Sequence, residues 1–118
     1  MIPSRLVHPL KGDLLVRSKS AAERQIQAVV ASDLMSDVLV VAQEDFLLVT
    51  SLASDQMIRT ADLVGAAGVV LVNGKRPPAS VLRLAEDLDI TLIRTPLPKY
   101  EACLAIGSAL ASAAEATP

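Results

Sequence analysis

The sequence predicts an α/β domain with a mostly parallel central sheet and helices packed on it. Runs at 46–49 and 69–72 are continuously apolar rather than alternating, as in strands covered on both faces, and 90–93 is a third, aliphatic but for Thr91. Between and after these runs, apolar residues recur at helical spacing. The intervening stretches are long enough for right-handed strand–helix–strand crossovers.

Taken in order, residues 1–12 read as irregular, with Pro3, Pro9 and Gly12 as breakers. Asp13-Leu14-Leu15-Val16 suits a short strand, and the polar stretch 18–24 reads as a turn. Ile26-Gln27-Ala28-Val29-Val30 reads as a second strand. Ser32-Asp33 then offers an N-cap to a helix carrying Leu34, Met35, Val38 and Ala42 at helical spacing. The run Val38-Leu39-Val40-Val41 suits a strand equally well.

Phe46-Leu47-Leu48-Val49 has strand length and no polar face. Ser54 or Asp55 caps a helix over about 56–64, with Met57, Ile58, Ala61 and Val64 on one side and Gly65 as its stop. Val69-Val70-Leu71-Val72 is the clearest buried strand. Asn73-Gly74-Lys75-Arg76 turns, and Pro77-Pro78 opens a helix whose stripe is Val81, Leu82, Ala85 and Leu88. Ile90-Thr91-Leu92-Ile93 is a further strand, ended by Pro96 and Pro98. An Ala-rich helix follows over about 99–113. These elements suit one domain spanning 1–118, with 1–24 as an irregular N-terminal segment and 25–113 as the core.

Composition narrows the function. The chain has 118 residues, of which 52% are hydrophobic and 20% charged, so it should fold rather than stay disordered. Phe46 and Tyr100 are the only aromatics, and the net charge is -2 with no basic stripe. Nucleic-acid binding, which needs stacking rings and a cationic track, is not expected. The longest aliphatic run, 38–42, is too short to span a bilayer. Cys103 is the only cysteine, so no internal disulfide forms. A cytoplasmic location fits.

Few residues carry obvious chemistry. His8 lies between Val7 and Pro9 with no partner motif and reads as an incidental surface residue. Cys103 shares a helix face with Ile106 and Leu110 and reads as structural. Neither GxxxxGK[ST] nor GxGxxG occurs. Asp33 and Asp37 would share a helix face, better explained by a cap plus a solvated acid than by a metal. No catalytic residue, metal or cofactor is expected.

One constellation remains. In an open parallel sheet, ligands sit beyond the carboxyl ends of the strands. Here those ends carry Thr50 and Ser51, then Asn73, Gly74, Lys75 and Arg76, then Arg94 and Thr95. Hydroxyls, an amide, a glycine turn and cations would gather there beside helix N-termini, suiting a small anion. Gly74 would adopt a left-handed conformation and expose its N–H. Thr50, Ser51, Asn73, Gly74, Lys75, Arg76 and Thr95 are therefore the candidate ligand-binding residues.

Val29-Val30-Ala31-Ser32-Asp33-Leu34-Met35-Ser36-Asp37-Val38 resembles the G-D-L-L-S-D-V-M segment of stand-alone DRTGG-domain proteins. Phe46 to Thr50 is similar to that family's central strand ending in Thr. Gly65 to Gly74 matches its helix end, strand and glycine turn, and 78–88, 90–95 and 100–102 continue in register. The resemblance covers about 25–110. Where the family often has Thr-Gly-Gly, this chain has Val72-Asn73-Gly74.

The resemblance implies a fold like the N-terminal domain of HPr kinase/phosphorylase and, more distantly, Mur-ligase N-terminal domains. It also implies a module found with CBS domains, phosphotransacetylases and pyrophosphatases, often dimeric and without catalytic residues. CBS-type nucleotide binding belongs to the accompanying domain. The expected function is a non-catalytic regulatory or interaction module that senses a small anionic metabolite or docks on a partner enzyme. The alternative is a purely structural homodimerisation subunit without ligand. A small phosphate-handling enzyme ranks below both. The small residues Ala102, Ala105, Gly107, Ala109, Ala111 and Ala113 favour a homodimer through the last helix.

Overall fold

The computed structural model describes residues 1–19 and 23–116. Of the polar stretch 18–24, residues 20–22 lie outside the described residues. The strands are β1 (Asp13–Val16), β2 (Ala28–Ala31), β3 (Phe46–Thr50), β4 (Gly68–Leu71) and β5 (Leu92–Arg94). The helices are α1 (Met35–Val38), α2 (Asp55–Leu63), α3 (Ala79–Asp87) and α4 (Lys99–Ala116), preceded by a 3₁₀ turn at Pro3–Leu6.

The strands form one sheet in the order β1-β5-β4-β3-β2. β2, β3, β4 and β5 pair in parallel, and β1 joins the outer side of β5 antiparallel. The α/β class and the adjacency of the three central strands are as the sequence predicts.

Alternation along each strand divides the core in two. Phe46, Leu48, Val69, Leu71 and Leu92 face a cluster completed by Met57, Ile58 and Ala61 of α2 and Val81 and Ala85 of α3. Leu47, Val49, Val70, Val72 and Ile93 face the opposite cluster, closed by Leu6, Leu10, Ala102 and Ile106. Every residue of β3 and β4 is buried, which explains their unbroken aliphatic runs. α2 starts at a true cap: the Ser54 side chain accepts from the Met57 N–H at 3.3 Å.

Several expectations change. The N-terminal segment is not an irregular appendage to a core that begins at residue 25. Leu6 and Leu10 are fully buried, and Val16 ends a strand of the sheet. Gly12 lets the chain pass close against the Arg94 backbone, and Pro3 packs against Gly68. The helix expected after Ser32-Asp33 shrinks to the four residues of α1, with Leu34 at its N-cap. Asp33 does not cap it. The strand alternative for 38–41 also fails: Val38 is buried, whereas Leu39 and Val40 are exposed.

Pro77 and Pro78 precede α3 rather than open it, since α3 begins at Ala79. Among the small residues of α4, Ala102 is buried, and Ala105 and Ala109 pack against the second core cluster. They bring the helix close to its own sheet. Among the described residues no helix is long and apolar enough to cross a membrane.

Candidate functional site

The carboxyl ends of β2, β3, β4 and β5 lie along one edge of the sheet because all four run in parallel. α2, α3 and α4 begin at that edge. The candidate residues gather there in two groups.

The first group centres on Asp33, just past β2. Asp33 Oδ1 accepts from Thr50 Oγ1 at 2.9 Å and from the Ser51 N–H at 2.6 Å. Oδ2 accepts from Ser51 Oγ at 2.8 Å and from Lys99 Nζ at 2.9 Å. Partial burial works against the charge. The Lys99 ammonium, the Ser51 amide and the two hydroxyls outweigh it and hold the carboxyl well below its ordinary range. Thr50 is fully buried, and its oxygen also accepts from the Leu52 N–H at 3.1 Å.

The second group joins β4 to β5. Asn73 and Gly74 both have positive φ, 60° and 66°, and the Lys75 N–H closes back on the Val72 carbonyl at 3.3 Å. This is the left-handed two-residue turn that Asn-Gly favours. The left-handed conformation of Gly74 is as expected, but its N–H is not free. It donates to the Thr95 carbonyl at 2.9 Å, and the Asn73 N–H donates to Leu97 at 2.8 Å. Thr95 is fully buried, donating from Oγ1 to the Leu10 carbonyl at 2.6 Å and accepting from the Leu97 N–H at 3.1 Å. Arg94 pairs with Asp13 at 2.8 Å and donates to the Gly74 carbonyl at 3.3 Å.

Residues 95–99 therefore form a strap across the carboxyl edge, tied to the Asn73-Gly74 turn at one end and to Asp33 at the other. It uses the hydrogen-bonding groups of Thr95 and the turn amides that an open crevice would present. Lys75 and Arg76 differ. Both are exposed, and neither side chain has a hydrogen-bond or ion-pair partner among the described residues. They stand just before the N-terminus of α3, whose dipole adds positive potential.

The sequence reading missed Asp33 and Lys99. Asp33 lies just past the end of β2 as Ser51 lies just past the end of β3, so the pairing of those strands would have placed them together. Lys99 opens α4, four residues past Thr95, and its reach to Asp33 was not legible. Asp33 and Asp37 do not share a helix face, because Asp33 lies outside α1. Among the described residues no group of three His, Cys, Asp or Glu side chains is placed to hold a metal ion. His8 is exposed, and Cys103 is half-buried against the second cluster.

A concavity of about 250 Å³ lies at the opposite, amino edge, lined by Glu23, Arg24, Asp62 and Asp89 among others. Its acids disfavour an anion. Its Arg24 is committed to the Ala66 carbonyl at 2.7 Å and to Asp45 at 2.9 Å.

A mostly parallel sheet with helices packed on both faces defines an α/β domain. The DRTGG domain family matches residues 5–109, and the chain belongs to that family. Its fold is similar to the crystal structure of the CBS and DRTGG domains of the regulatory region of Clostridium perfringens pyrophosphatase, complexed with the activator diadenosine tetraphosphate. The TM-score is 0.74 at 14% identity, covering 89% of this chain and 45% of that one. This chain thus spans less than half the length of that structure. A search of the curated proteins found no match.

Proposed function

We propose that this chain is a non-catalytic regulatory module whose ligand-facing surface is the carboxyl edge. Lys75 and Arg76 make the charged contacts to a small anionic metabolite. The observation that carries this reading is the pair of exposed cations that follow the left-handed Asn73-Gly74 turn before α3 and have no side-chain partner among the described residues. Thr50, Ser51, Asn73, Gly74 and Thr95 build the edge and fix the turn.

Membership of a family with a member in an enzyme's regulatory region supports regulation over catalysis. The activator of that region is a polyphosphate, which supports a partner that binds one. A cytoplasmic location and action on a partner enzyme accord with this reading.

The test is a thermal-shift series with ATP, diadenosine tetraphosphate, sugar phosphates and pyrophosphate. At least one should raise Tm saturably. Replacing Lys75 and Arg76 with Ala should abolish that rise while changing intrinsic stability by less than about 0.5 kcal/mol per site. A rise that survives the double replacement places the ligand elsewhere.

The alternative, a structural homodimerisation subunit, is favoured by the apolar exposed side of α4, where Tyr100 and Leu104 stand one turn apart, 70% and 54% exposed. Light scattering at high micromolar concentration tests it. A monomer there removes that reading.

A further inference from the structure

Four donors converge on the Asp33 carboxylate, two on each oxygen: Thr50 Oγ1 and the Ser51 N–H on Oδ1, Ser51 Oγ and Lys99 Nζ on Oδ2. A cation, a backbone amide and two hydroxyls make a set that binds a small oxyanion regardless of what carries it. The donors belong to fixed elements. Thr50 closes β3 with its side chain fully buried, Ser51 follows it directly, and Lys99 opens the long helix α4. The acceptor belongs to a lighter one. Asp33 lies in the short connection between β2 and the four-residue α1, and its side chain is 45% exposed.

We propose that this cradle is an anion-binding site held closed by the chain's own Asp33, and that the phosphoryl group of a small phosphorylated molecule binds by taking the carboxylate's place. A phosphoryl group offers the same two oxygens on one centre. It brings a charge of about −1.5 to −2 at neutral pH, more than a carboxylate carries. The carboxylate has the advantage of its tether, which gives it an effective concentration on the order of millimolar or more. A bare anion therefore competes poorly, and a ligand with further contacts to the edge competes well. Release of Asp33 frees the β2–α1 connection. That connection carries the exposed Leu34 and leads to the exposed Leu39 and Val40. Exchanging one anion for another thus alters how an apolar patch is presented. The exchange breaks no covalent bond.

The inference goes beyond the cationic turn and does not depend on it. The test is a titration with inorganic phosphate at constant ionic strength, followed by amide NMR in the wild-type chain and in Asp33→Ala. The Ser51 amide should move saturably in Asp33→Ala, with affinity at least about tenfold tighter than in the wild type. Adding Lys99→Ala to that variant should weaken binding by about tenfold or more. A Ser51 amide that stays still in a folded Asp33→Ala chain overturns the proposal. So does equal affinity in wild type and variant, or indifference to Lys99→Ala. If Asp33→Ala does not fold, Asp33→Asn keeps the side-chain shape without the charge, and the same comparison with wild type decides. The Gly74 amide reports on the cationic turn and the Ser51 amide on the cradle, so either idea can fail without the other.

Discussion

Asp33 keeps its charge because the groups around it reward the ionised form more than burial penalises it. The consequence for pH dependence has a definite sign. The unfolded chain takes up a proton near the ordinary value of 3.8, while the folded chain resists protonation to lower pH. The stability Asp33 contributes is fully present above that value. It is lost progressively as pH falls below it toward the folded-state value. The carboxylate is partly exposed, so screening keeps this contribution on the order of 1 kcal/mol. Denaturant melts of Asp33→Asn should show lower stability than wild type at pH 7 and a narrower gap at pH 3. A gap that widens on acidification would contradict the hydrogen-bond assignment.

Thr95 makes a second residue-scale case. Its hydroxyl is fully buried and serves both the Leu10 carbonyl and the Leu97 N–H. Thr95→Val keeps the volume and leaves both partners wanting. It should cost about 2 kcal/mol, read as a lower urea midpoint at unchanged m-value. From sequence, Thr95 was legible as a strand-end hydroxyl, but its ties to the N-terminal segment and to the strap were not. Those ties depend on a contact 85 positions away.

At the scale of elements, β1 was visible as Asp13 followed by three aliphatic residues, while its place in the sheet was not. Pro3, Pro9 and Gly12 look like breakers in isolation. In the fold, Gly12 passes so close to β5 that a Cβ there would run into the Arg94 carbonyl oxygen and press on Ile93 at 3.3 Å. Gly12→Ala should therefore push β1 away and destabilise the chain by about 1–3 kcal/mol. Hydrogen exchange at β1 and β5 should accelerate more than at β3. Equal acceleration across the sheet would place the effect elsewhere.

α1 went the other way. Its helical spacing is present in the sequence, but Leu39 and Val40 find no surface to bury against, and the helix stops at Val38. Local periodicity supplies a helix only where packing rewards it.

For the whole molecule, the central sheet was readable because three strands are buried on both faces and their runs are almost wholly apolar, with Thr91 the one polar residue inside them. The position of the candidate edge followed from that parallel order. Its chemistry was only half readable. Lys75 and Arg76 have no side-chain partner among the described residues, as a turn sequence suggests, but Gly74, Asn73 and Thr95 have their groups taken by the strap, which only the tertiary path of 95–99 reveals. The small residues of α4 were legible as enabling close approach. Which surface they approach was not, and several meet their own sheet.

The central claim is that the carboxyl edge binds a phosphorylated ligand without transforming it. The most direct measurement follows ATP and the protein together, the protein by amide NMR and the nucleotide by phosphorus NMR. Saturable shifts are expected at Gly74, Lys75 and Arg76, absent after Lys75→Ala/Arg76→Ala, with the nucleotide intact throughout. Shifts confined to Arg24, Asp62 and Asp89 at the opposite edge would contradict it. So would release of phosphate that a single polar substitution abolishes.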